Sequence, residues 1–87
     1  MQFRTIFLRE IIDTPIRKTL LGSTDEVVFY ESIFKDGDKL YRTFYRIGKE
    51  GISNEEPYEY ENEFVECEEV EEIKTKVIGY VAVGKDE

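Results

Sequence analysis

Residues 26–47 read EVVFYESIFKDGDKLYRTFYRI, and the fold class turns on them. Val, Ile, Phe and Tyr crowd both halves of the stretch, and such side chains pack best on a pleated sheet. Between the halves stands Asp36-Gly37-Asp38, where glycine supplies the positive φ that a tight hairpin turn requires. In the second half Leu40, Arg42, Phe44 and Arg46 fall on one side of a strand. Tyr41, Thr43, Tyr45 and Ile47 fall on the other. The stretch is therefore expected to form an antiparallel hairpin.

Working outward, Phe3 to Ile12 is rich in Ile, Phe and Leu with charges interspersed, and reads as a strand. Next comes DTPIRKTLLGS. Thr14 as cap, Pro15 at the first position and Gly22 as terminator describe a short helix over residues 15–21. A second strand beginning after Pro15 describes it equally well. Gly48, Gly51 and Pro57 punctuate a loop. Lys74 to Val83, KTKVIGYVAV, is apolar enough to be a central strand.

The segment between them is unusual. Residues 55–72 read EEPYEYENEFVECEEVEE, with ten glutamates in eighteen positions. Tyr58, Tyr60, Phe64, Val65, Cys67, Val70 and Ile73 give it too much apolar surface for a solvating, disordered tail. Glutamate favours a helix over 62–72. Yet Phe64, Cys67, Val70 and Ile73 advance by threes and drift across roughly half of a helix circumference. As strands, Tyr58 and Tyr60 share a face opposite Glu59 and Glu61. Val65, Cys67, Ile73, Thr75, Val77, Val81 and Val83 share one parity, which Glu69 and Glu71 interrupt at a bend or bulge. Strand is the favoured reading. The whole chain, 1–87, is expected to be a single domain of mainly β class. A small antiparallel sheet or barrel of five to six strands is expected, with one short helix at 15–21 or 62–72 as an option.

Composition restricts the chemistry. There is no histidine and a single cysteine, Cys67. This removes Ser-His and Cys-His nucleophile pairs, zinc clusters and any internal disulfide. Asp36-Gly37-Asp38-Lys39 lacks the later acids of a calcium loop and is read as a turn. Carboxylate pairs of glycosidase type are unavoidable by chance among so many glutamates. Cys67 lies between Glu66 and Glu68, which disfavours its thiolate, so it is read as a small core residue. No enzyme, metal or cofactor is expected. No apolar run is long enough to span a bilayer, and MQFRTIFLREII lacks a signal-peptide layout. A cytoplasmic location without membrane contact is expected.

The net charge is −8, but eleven acids and no base lie between Glu50 and Glu72, so the rest of the chain is +3. Two unit charges at ~7 Å in water repel by about 0.6 kcal/mol before salt screening, so a folded domain tolerates the run without any function. A solvated face that keeps a small β protein soluble is the plain reading. The alternative is a docking surface made by Glu55, Glu56, Tyr58, Glu59, Tyr60, Glu61, Glu63, Glu66, Glu68, Glu69, Glu71 and Glu72. Tyrosines are rigid binding anchors in one reading and ordinary core residues in the other. Folded into a hairpin, the carboxylates would line up at roughly one per 3.5 Å, near the ~3.4 Å phosphate spacing of a DNA strand. Direct contact with nucleic acid is disfavoured by charge.

The functional expectation is therefore a non-enzymatic interaction protein whose acidic segment, 50–72, docks on a basic surface of a partner protein. One version is an inhibitor that occupies a nucleic-acid-binding site, by analogy with phage-type anti-defence proteins. The alternatives are an assembly subunit that forms homo-oligomers through a sheet edge, and a β domain that sequesters a small ligand. Arg4, Arg9, Arg17, Lys18, Arg42 and Arg46 form a basic patch or pair with the acidic segment across the sheet.

Overall fold

The hairpin is present in the computed structural model, which describes residues 1–74 and 78–83. In chain order the elements are β1 (Gln2–Arg4), α1 (Thr5–Ile11), β2 (Arg17–Ser23), β3 (Val27–Asp36) and β4 (Lys39–Gly48). They continue with β5 (Phe64–Glu66), β6 (Glu68–Lys74) and β7 (Ile78–Ala82). Strands β3 and β4 pair along their full length, from Val27 opposite Gly48 to Asp36 opposite Lys39. The two central turn residues are Gly37 and Asp38, and Gly37 takes φ +68. Glycine at the first central position is the II′ arrangement, whose twist matches that of the flanking strands.

Around this hairpin the sheet grows to five strands in the order β2-β3-β4-β6-β7, all antiparallel. It curls into a half-barrel. The curl brings β2 towards β7, so that the Arg17 guanidinium stands 5.8 Å from the centre of the Tyr80 ring. Ile33 and Val70 are buried on the inner face, with the Arg42–Glu31 ion pair beside them. On the outer face Ser32 opposes Thr43, Tyr30 opposes Tyr45 and Phe34 opposes Tyr41. Burial on both faces explains why β3 is nearly continuously covered from Val27 to Phe34.

The outer face is closed by a second, two-stranded sheet of β1 and β5, and by α1. Phe3, Leu8 and Ile12 from this layer meet Phe34, Tyr41, Tyr45, Tyr58 and Cys67 in one cluster. Phe3 packs edge-on to both Phe34 and Tyr41.

The mainly β, antiparallel class holds, with corrections in detail. There are two sheets rather than one, with seven strands among the described residues. The strand expected over Phe3–Ile12 is instead β1 followed by α1. Packing decides this: Leu8 and Ile12 are buried, with Phe7 and Ile11 half-buried beside them. That spacing is one face of a helix. The helix option over 15–21 gives way to β2, whose entry is fixed by a bond from the Ile16 amide to the Ile33 carbonyl. The segment has almost no buried face to stabilise a helix, and pairing with β3 from Arg17 opposite Ile33 satisfies its backbone instead. The helix option over 62–72 gives way to β5 and β6. The break between them falls at Cys67, whose amide donates to the Met1 carbonyl, and not at Glu69–Glu71. Beyond it the buried position is Val70. The last strand spans Ile78–Ala82. Residues 75–77, including Thr75 and Val77 of the parity argument, and the tail 84–87 lie outside the described residues.

Where β4 ends, the chain turns tightly. The Gly48 amide donates to the Glu55 carbonyl, and a side chain at Gly48 would collide with the carbonyl of Ser53. Gly48→Ala is expected to destabilise the fold by about 1–3 kcal/mol through backbone displacement. Urea denaturation checks this; a midpoint unchanged from the parent would mean that the turn relaxes freely.

Candidate functional site

The glutamates of 50–72 are carried by the β4–β5 connection and by strands β5 and β6. On a strand successive side chains point to opposite faces. Glu68 opposes Arg42 and Glu69 opposes Tyr41, so they project to the inner and outer faces of the sheet respectively. Glu72 follows Glu68 and Glu71 follows Glu69.

Five of the eleven carboxylates meet a cation of the same chain. Glu55 pairs with Arg46, Glu63 with Arg4 and Glu66 with the N-terminal ammonium. Glu68 lies 2.8 Å from Arg42, and Glu69 lies 4.0 Å from Lys39. Arg4, Arg42 and Arg46 thus take the pairing role rather than forming a basic patch. Arg9 binds the Pro57 carbonyl at 2.8 Å, and Lys18 sits over the Tyr30 ring. Glu50, Glu56, Glu59, Glu61, Glu71 and Glu72 make no ion pair among the described residues.

Three of these, Glu56, Glu59 and Glu61, stand together on one short loop. Its anchor is Tyr58, which is 5% exposed and whose hydroxyl bonds to Thr43 on β4. The Tyr58 ring lies 5.9 Å from that of Tyr45. Tyr58 holds φ +62, a left-handed conformation that costs a non-glycine residue on the order of 1 kcal/mol or more. The buried ring and its hydrogen bond offset that strain. The Arg9 bond to Pro57 and the Glu56 amide bond to the Glu59 carboxylate (2.8 Å) fix the rest of the loop. The acids are therefore presented on a held backbone.

Tyr60, two residues on, is 73% exposed. With Phe44, Glu59 and Glu61 it borders a cleft of about 280 Å³ against the edge of β4. The Arg46 guanidinium lies 5.9 Å from the centre of its ring. The two tyrosines that the sequence treats alike thus divide their roles: Tyr58 is core and Tyr60 is surface. Phe44, also exposed, is a cleft residue that strand alternation alone assigned to an unspecified face.

Cys67 is buried, as its small-core reading requires. Burial pushes its thiol pKa up, and the Glu66 charge adds in the same direction. Among the described residues no group of three or more Cys, Asp or Glu side chains is arranged to hold a metal ion. Among the described residues no helix is long and apolar enough to cross a membrane. No protein-family model, curated protein or solved structure matches the chain.

Proposed function

We propose that this chain is a non-enzymatic interaction protein, acting in the cytoplasm, whose acidic segment docks on a basic surface of a partner protein. The observation that carries the reading is the loop of Glu56, Glu59 and Glu61. Its carboxylates make no ion pair among the described residues, its backbone is pinned by Tyr58, and Glu59 and Glu61 border the same cleft as the exposed ring of Tyr60. Fixed charge on a rigid loop is presented without an ordering cost at the moment of binding. An aromatic anchor among charges is the composition of an interface centre with a polar rim.

The version in which the chain fills a nucleic-acid-binding site draws on the same carboxylates. It calls for an unbroken line of free charge. The in-chain ion pairs of Glu63, Glu66, Glu68 and Glu69, and the alternation of faces along β6, interrupt such a line. A basic protein surface is the partner that the free loop acids favour.

The test compares the parent with the triple substitution Glu56→Gln, Glu59→Gln and Glu61→Gln, in affinity capture and in titration of the captured partner. Partner affinity is expected to fall by about tenfold, chiefly through slower association, and to fall steeply for the parent between ~50 and 200 mM salt. Equal affinity of the two proteins at every salt concentration would rule the acidic loop out as the docking surface.

A further inference from the structure

The sheet leaves one strand position vacant. β4 runs from Lys39 to Gly48, but β6 accompanies it only along Leu40–Arg42. At Cys67 the chain turns away to join β1 through β5. At the other end the Gly48 amide is closed by Glu55. The parity of the hairpin, counted from Asp36 opposite Lys39, directs the backbone groups of Tyr41, Thr43, Tyr45 and Ile47 towards β3. Those of Phe44 and Arg46 point the other way, to the side that β6 has left. They have no backbone partner there among the described residues.

The vacancy is lined rather than bare. The cleft bordered by Tyr60, Glu59 and Glu61 opens on one side of Phe44, and a larger one of about 720 Å³, reaching Glu66 and Glu68, opens on the other. Phe44 is 56% exposed between them. An unpaired edge with rings and carboxylates around it selects an occupant with matching features. It must be extended, to satisfy four backbone groups in ladder geometry. It must carry positive charge to meet Glu59 and Glu61, and apolar side chains to cover Phe44 and Tyr60.

We infer that the free edge of β4 at Phe44 and Arg46 receives an extended segment of the partner protein, in which basic and apolar residues alternate, as an added β-strand. The inference rests on the docking function proposed above and specifies its mode. Backbone pairing supplies register, and the loop acids select charge.

The probe is a ten-residue peptide of alternating lysine and valine, added to the intact, isotope-labelled chain, with hydrogen exchange read at individual amides. At saturation the amides of Phe44 and Arg46 are expected to exchange about tenfold more slowly. The same peptide with alternate backbone nitrogens methylated is expected to give no such protection. A Phe44→Pro variant removes one edge donor without touching the β3 ladder, and is expected to weaken the peptide severalfold, whereas Phe44→Ala should weaken it less. If the peptide binds in a salt-sensitive manner that needs Glu59 and Glu61, yet leaves exchange at Phe44 and Arg46 unchanged, strand addition is overturned and acidic docking stands. If neither peptide binds even at ~50 mM salt, both readings fall together.

Discussion

Phe34→Ala is expected to remove most of the stability of the fold. Phe34 is 1% exposed at the centre of the ring cluster. Its ring meets that of Phe3 edge-on at 5.1 Å and stacks on that of Tyr41 at 5.7 Å, with Phe7 at 6.1 Å. Truncating such a side chain costs about 3–5 kcal/mol, because transfer energy is lost and the rigid rings cannot collapse into the space. Domains of this size are held by only ~5–10 kcal/mol. The substitution also severs the hairpin from the layer of β1 and α1, because Phe34 is where the two meet. Urea denaturation followed by circular dichroism is expected to show a midpoint lowered by a third or more. Phe44→Ala, on the exposed side of the neighbouring strand, should stay within about 0.5 kcal/mol of the parent. If the two substitutions cost the same, the ring cluster is not the seat of stability.

That contrast also marks what could be read from the residues alone. The hairpin was legible because three signals agree: β-branched and aromatic composition, a glycine turn and clean alternation in β4. The helix α1 was not. Phe7, Leu8, Ile11 and Ile12 do lie on a helical face, yet Ile and Phe carry strand propensity, and seven residues leave the two periods hard to separate. Tertiary burial of Leu8 and Ile12 overrides local preference there. In the candidate site, the excess of carboxylates was plain from composition. Their division into paired and unpaired sets was not, because Glu63 with Arg4 and Glu68 with Arg42 are contacts between residues distant in the chain. Nothing local distinguishes Tyr58 from Tyr60 either. Their fates diverge at the positive φ of Tyr58, which turns its ring inward against Thr43.

Tyr58 also makes the fold sensitive to alkali. Burial pushes its phenol well above the ordinary tyrosine value, and burial likewise raises the thiol of Cys67. Both groups ionise more readily in the unfolded chain, near pH ~8.5 for a thiol and ~10 for a phenol. Above those values the unfolded state holds fewer protons than the native state, so stability falls as pH rises. The contribution is complete below pH ~8.5 and is lost on the way to the raised native values. Above pH ~10 the phenol contributes a slope of about 1.4 kcal/mol per pH unit, and the raised thiol acts in the same direction from pH ~8.5. Tyr58→Phe separates this from general alkaline damage. At pH 7 it leaves the Thr43 hydroxyl short of a partner, at a cost of about 1–3 kcal/mol. Above pH ~10 it has no phenol to ionise at this position, so its stability declines more slowly than the parent's and the two curves converge. Urea midpoints measured from pH 7 to 11 on both proteins decide the matter. Parallel curves would show that Tyr58 is not held in its neutral form by burial, and would remove the anchor on which the rigidity of the acidic loop depends.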